Sequence, residues 1–187
     1  MKRLTVCVVV IMLIGAAASL PFLLNAGFGQ APKGAQLSQV EQSPHYRDGQ
    51  FHNQVPTPGY TGNKSMLAAW WEFLVAKREN ARPAHPLPLV ATDLAGLSPE
   101  QDTLVWLGHS SWYLQLAGQR ILIDPVFSNY AAPLSFLNKA FVGDYPWSAQ
   151  TMPEIDLLII SHDHYDHLDL ATIKALMPKI KRVITPD

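Results

Sequence analysis

The segment LLIISHDHYDHLDL, residues 157–170, sets three histidines and three aspartates into the eight positions 162–169, directly behind a run of aliphatic residues. Only 16% of the chain is charged, so this concentration of titratable groups at the end of a buried-looking strand asks for a chemical reason. The spacing is H-x-H-x-D-H, carried by His162, His164, Asp166 and His167. On extended backbone, side chains two residues apart point the same way, so His162 and His164 can reach one divalent ion at ~2.0–2.1 Å. Asp166 and His167 lie just past the bend and face a second ion. Imidazole and carboxylate donors without a thiolate suit zinc, with iron or manganese allowed by ligand type. The bland alternative is a solvated loop or a helix cap with polar neighbours. A lone His-x-His would leave that alternative standing. An aspartate and a third histidine in register, between a covered strand and a capped helix, argue against it. Asp163 alternates away from the two histidines and supports the loop from behind them, with direct ligation the alternative. Tyr165 and Asp169 read as supporting residues.

The elements around this motif are legible from their periodicity. IDLLIIS, residues 155–161, is apolar after Asp156 and fits a central strand covered on both faces. Its C-terminal edge is where open α/β sheets keep their ligands. A short helix follows: Asp169 can cap it, Leu168 can staple to Ile173, and Pro178 stops it. KRVIT, residues 181–185, is then the next strand, parallel to 155–161 through the helical crossover. Upstream, DTLVWLG and SSWYLQL read as short strands, and LAGQRILIDP turns through Ala117–Gln119 into another at 120–123. His109 and Asp124 both stand at strand ends. Residues 125–153 form a long proline-containing loop, a candidate pocket rim with a short helix expected around 135–141.

Further toward the N-terminus, NKSMLAAWWEFLVAKREN reads as a helix with Leu67, Trp70, Trp71 and Leu74 on one stripe, capped by Asn63 or Ser65. Residues 27–60 are rich in proline and glycine and read as a tether and extended arm. Residues 1–26 begin with Lys2 and Arg3, and Leu4 to Leu24 carry no charge. That length is enough for a transmembrane helix, and Ala16–Ala18 offers the alternative of a cleaved signal peptide. Either reading places the rest of the chain on the extracytoplasmic, periplasmic side.

Composition excludes several classes. With 14 Lys plus Arg against 15 Asp plus Glu and no basic block, no nucleic-acid partner is expected. The single cysteine, Cys7, allows neither an internal disulfide nor a cysteine-rich zinc knuckle.

HDHYDH matches the H-x-H-x-D-H signature of the metallo-β-lactamase superfamily. With VWLGHSSWYLQLAGQRILIDPVFS and MPEIDLLIISHDHYDHLD, the chain resembles the branch containing the N-acyl-phosphatidylethanolamine-hydrolysing phospholipase D enzymes. SPHYRDGQFHNQ and the tryptophan-bearing helix resemble that branch's N-terminal region, so the likeness covers about residues 44–187. It implies an α/β fold, the αββα sandwich, with two metals at the mouth between its sheets: His162 and His164 on the first, Asp166 and His167 on the second. It also implies a hydroxide between the two ions that attacks a phosphodiester, or a carbonyl in lactonase-like relatives. A phospholipid or other small ester is the implied substrate, and the N-terminal segment suggests membrane association. The family's remaining three ligands would come from a C-terminal half, so residues 61–187 are expected to be a partial domain. A truncated, catalytically silent metal-binding or interaction module is the competing expectation. His109, in LGHSS, is expected beside the metals, where it lines the pocket and handles a proton or makes a structural hydrogen bond. Asp124 is expected to brace the metal loop, with ligation the alternative. No motif specifies an oligomeric state.

Overall fold

The computed structural model describes Gly15 and residues 29–76, 79–132, 138–143 and 145–186. Beyond Gln30 its contacts divide the chain into two compact units, one over Ala31–Pro88 with Phe141–Gly143, the other over Leu89–Ala140 with Asp144–Pro186.

The first unit departs from the expected extended arm. It contains a helix, α1 (Ala35–Val40), and a two-stranded hairpin of β1 (Tyr46–Arg47) and β2 (Gln50–Phe51). Asp48 and Gly49 supply the two successive left-handed residues that a tight hairpin turn needs, at φ 53° and 79°. The Tyr46 ring meets Phe51 edge-on at 5.0 Å. The tryptophan helix forms as α2 (Met66–Val75), capped by Ser65, whose hydroxyl accepts the Ala68 N–H at 3.3 Å.

The second unit is built on a mixed five-stranded sheet. Its strands are β3 (Thr103–Gly108), β4 (Ser111–Leu116), β5 (Gln119–Ile123), β6 (Leu157–Ile159) and β7 (Val183–Ile184), lying side by side in that order. The first three are antiparallel neighbours, and β5, β6 and β7 run parallel. Between β4 and β5, Ala117 at φ 48° and Gly118 at φ 75° make the tight turn. The crossover from β6 to β7 holds α3 (Leu170–Leu176) and a 3₁₀ turn (Met177–Lys179) containing Pro178. Asp169 caps α3 through the Ala171 N–H at 3.1 Å. β6 is shorter than the apolar run, yet its flanks stay paired: Lys181 N–H donates to Ile155 and Ile160 N–H to Ile184.

Tyr113, Leu122 and Leu158 occupy adjacent positions across β4, β5 and β6 and are essentially fully buried, with Ile155 and Leu176 beside them. Burying each such aliphatic side chain is worth about 1.5–3 kcal/mol. Gln115 is buried among them because its amide donates to the Ser98 and Gln101 carbonyls, at 2.6 and 2.9 Å, and its oxygen accepts the Tyr113 hydroxyl.

Two expectations are corrected. Part of the helix expected around 135–141 lies outside the described residues, and 138–141 are not helical. Tyr130 and Lys139 instead form an antiparallel bridge, flanked by 3.0 Å hydrogen bonds from Ala131 N–H to Asn138 and from Ala140 N–H to Asn129. The expected transmembrane helix, and the membrane association and extracytoplasmic placement resting on it, are also corrected. Among the described residues no helix is long and apolar enough to cross a membrane. The longest described, α2, has 10 residues, against the roughly 20 a bilayer requires. Residues 1–26, where the anchor or signal peptide was placed, lie outside the described residues apart from Gly15.

Candidate metal centre

Three strand ends converge on the motif. The β3–β4 turn brings His109, which sits at φ 43° after Gly108 at φ 114°. A side chain at Gly108 would come within 3.2 Å of the Tyr145 ring, so both the backbone angle and the space favour glycine. The Trp106 indole N–H donates to the His109 carbonyl at 2.8 Å and fixes the turn. The end of β5 brings Asp124, also left-handed at φ 44°. The end of β6 brings Ser161 and the loop 162–168, where the His164 carbonyl accepts the N–H groups of His167 and Leu168 at 2.9 and 2.8 Å.

His109, Asp166 and His167 each offer a ligand atom within 4.8 Å of the others, and among the described residues this is the one group of three that could hold a metal ion. His109 Nε2–H donates to Asp166 Oδ2 at 2.8 Å, and His167 Nε2 lies 3.9 Å from that same oxygen. Two donors each ~2.1 Å from one ion must lie within ~4.2 Å of each other, so the carboxylate and the His167 imidazole meet that bound. Ser110 donates its hydroxyl to the Asp166 carbonyl, so the turn grips both side chain and backbone of this residue. Burial pushes the Asp166 carboxyl up, but the His109 hydrogen bond, its own backbone N–H and the His167 charge outweigh it and hold it below the usual range.

His162 stands beside this group. Its ring centroid is 3.9 Å from that of His167 and 4.6 Å from that of His164. His162, Asp166 and His167 are half-buried, while Asp163 and His164 are exposed. Asp124 is buried at 4% exposure and acts as a brace. It accepts the Ser161 N–H at 2.7 Å, the Ser161 hydroxyl at 2.6 Å and His167 Nδ1–H at 2.9 Å. Burial disfavours its charge, yet the hydrogen bonds from His167 and Ser161 and the His167 charge hold its carboxyl below the ordinary value. Asp169 serves the scaffold: besides capping α3 it accepts the Ser128 N–H at 3.0 Å, tying the loop after β5 to the helix.

Sequence reasoning named His109 as a neighbour of the metals. The structure puts its Nε2 within the candidate group itself. Ser110 and Ser161 were not singled out. The only sequence signal for Ser161 is that a hydroxyl residue precedes the first histidine.

Residues 103–186 match a family described as a beta-lactamase superfamily domain. Over this span the mixed α/β arrangement matches the metallo-β-lactamase superfamily fold. The mixed sheet with its flanking helix and the H-x-H-x-D-H loop at the end of β6 lie within that span of the superfamily fold. A Mycobacterium tuberculosis protein named only as uncharacterized is 37% identical over 162 residues, 83% of this chain and 43% of that protein. The chain thus spans less than half the length of the mycobacterial relatives it matches. An N-acyl-phosphatidylethanolamine-hydrolyzing phospholipase D of Caenorhabditis elegans is 37% identical over 79 residues, 41% of this chain and 22% of that protein. The crystal structure of CmlA, a diiron beta-hydroxylase from Streptomyces venezuelae, is 29% identical, covers 48% of this chain and 16% of its own, and has a TM-score of 0.37.

Proposed function

We propose that this chain carries the metal-binding part of a metal-dependent hydrolase acting on a phosphodiester or related ester. The observation that carries the reading is the convergence of His109, Asp166 and His167 at the end of the parallel strand β6. The superfamily fold and the nematode phospholipase relative support it. The donor set suits zinc, with iron or manganese allowed by the ligand types. Asp166 and His167 would hold one ion, and His162 and His164, whose rings lie 4.6 Å apart, the other. When bound, such ions supply Lewis-acid polarisation of the ester oxygen and bring a water's pKa near neutrality. The chain's own residues do the positioning. Asp124 orients His167 and pins the Ser161 backbone, while the β3–β4 turn holds the Asp166 carboxylate through His109. The 3.9 Å between Asp166 Oδ2 and His167 Nε2 leaves one ion's width between them. Phospholipid is the favoured substrate and a lactone the alternative.

Zinc, iron and manganese titrations of the chain, alongside hydrolysis of bis(p-nitrophenyl) phosphate, an N-acyl-phosphatidylethanolamine and an acyl lactone, test the proposal. Two bound equivalents are expected, with hydrolysis lost on chelation and cut at least ~100-fold by His167→Ala. One tight equivalent would reduce the centre to the His109–Asp166–His167 site. Undiminished turnover by metal-free protein would refute the mechanism.

A further inference from the structure

The hydrogen bonds behind the candidate centre fix more than the positions of its histidines. Ser161 Oγ has three polar neighbours: Asp124 Oδ2 at 2.6 Å, His162 Nδ1 at 2.9 Å and His167 Nδ1 at 3.2 Å. A hydroxyl owns one proton. The short contact to a carboxylate is charge-assisted and takes that proton, which leaves Oγ as an acceptor toward both imidazoles. The 2.9 Å contact to His162 therefore needs a proton from the ring, and Nδ1 must supply it. His167 obeys the same accounting more directly, because its Nδ1 lies 2.9 Å from Asp124 Oδ2, which can only accept. Both rings then carry hydrogen on Nδ1 and leave the Nε2 lone pair free. Free histidine in water favours the opposite tautomer.

The source of this bias is held rigidly. Asp124 is buried, its N–H donates to Ile159 at 3.0 Å, and its carbonyl accepts the Ser111 hydroxyl at 2.8 Å. Ser111 Oγ in turn accepts the Val126 N–H at 3.0 Å. The carboxylate is thereby clamped between the ends of β5 and β6, and it cannot follow the histidines if they turn.

We infer that Asp124 and Ser161 form one tautomer-setting relay, in which a single buried carboxylate presets the Nε2 lone pairs of both His162 and His167. Ser161 is a positioning residue for His162, and Asp124 for both rings. That these lone pairs serve metal ions rests on the hydrolase reading; the tautomers themselves do not. The relay explains why a hydroxyl residue stands immediately before the first histidine. Serine there satisfies its own N–H and its Oγ–H on the same carboxylate and still accepts from the ring.

Two-bond ¹H–¹⁵N spectra of the metal-free full chain, at a pH of about 8 where imidazoles are neutral, read the tautomers directly. His162 and His167 are both expected in the Nδ1–H form. In Ser161→Ala, His162 should swing to the Nε2–H form while His167 holds, and Ser161→Thr should restore His162. Asp124→Asn should disturb both rings. Zinc affinity should fall roughly 10–100-fold in Ser161→Ala and recover in Ser161→Thr. An Nε2–H His162 in the unmodified chain, a result that needs no variant, overturns the relay, as does a His162 indifferent to Ser161→Ala. Tautomers as expected in a chain that binds no zinc would sustain the relay and sink the metal reading alone.

Discussion

His109 and Asp166 are 57 positions apart in sequence, yet their side chains meet at 2.8 Å. A carboxylate with one oxygen held by an imidazole N–H is restricted in the angle at which it can offer an electron pair to an ion. His109 is largely exposed, its side chain 61% accessible, so its contribution to folding stability is small. Its contribution to the site is orientation. His109→Ala should leave the denaturation midpoint within about 0.5 kcal/mol of the parent and weaken zinc binding about 10-fold or more. His109→Gln separates two modes of action. An amide N–H can still donate to Asp166, so most of the affinity returns if His109 works through the carboxylate. None returns if its Nε2 binds the ion directly. Calorimetric zinc titration of the three proteins decides, and parental affinity in His109→Ala would remove the residue from the site.

At the scale of elements, the parallel ladder β5–β6–β7 is what carries the motif to its place, and Asp156 stitches its lower end. The Asp156 carboxylate accepts the Arg120 N–H at 2.9 Å and the Lys181 ammonium at 2.7 Å, joining the start of β5 to the approach to β7. The Arg120 N–H first, and then Lys181, hold this carboxyl below its ordinary value of 3.8. A carboxyl depressed in the folded state contributes stability above its unfolded value and loses it as pH falls through the folded one. Asp156→Asn should therefore cost about 1 kcal/mol at neutral pH, discounted because Lys181 is solvent-exposed. The deficit should close as pH drops below 3.8. Urea midpoints of parent and variant at both ends of that range check the sign, and a deficit that persists in acid would show that packing rather than charge is responsible. The ladder itself was legible in IDLLIIS and KRVIT as apolar runs, but the expected cover on both faces is corrected. Leu158 is buried, Leu157 and Ile159 on the opposite face are only half-buried, and Val183 and Ile184 are exposed. The Asp169 cap and the Ala117–Gly118 turn were legible for equally local reasons. The Asp48-Gly49 turn was present in the sequence, but the prolines and glycines around it suggested an extended arm. The grip of His109 and Ser110 on Asp166 leaves no local pattern, since it depends on two strand ends meeting in space. The relay through Ser161 is hidden for the same reason.

The whole sheet has two apolar faces, and they are not treated alike. One face carries Tyr113, Leu122 and Leu158 and is buried. Register places Leu104, Leu114, Ile121 and Leu157 in one row of the other face, and Trp106, Trp112, Ile123, Ile159 and Ile184 in the next. Every one of these nine residues is apolar, and none is fully buried: Leu104 is 61% exposed, Trp106 46% and Ile184 52%. The paired Trp106 and Trp112 rings, 6.5 Å apart, sit at the β3–β4 end of this surface. Single exposed apolar residues are ordinary, but a contiguous apolar row that reaches across five strands is the kind of surface that attracts apolar ligands or partners. The 187-residue chain by itself should therefore enhance the fluorescence of anilinonaphthalene sulfonate at neutral pH while keeping a cooperative unfolding transition, which separates a folded apolar face from a molten state. Replacing Leu104 and Trp112 by threonine puts β-branched residues of high strand propensity at both positions while removing much of the patch. The double variant should lose most of the dye signal with little change in far-ultraviolet circular dichroism. Equal dye binding by parent and variant would place the apolar surface elsewhere, and no dye binding by the parent would mean that this face is covered in solution.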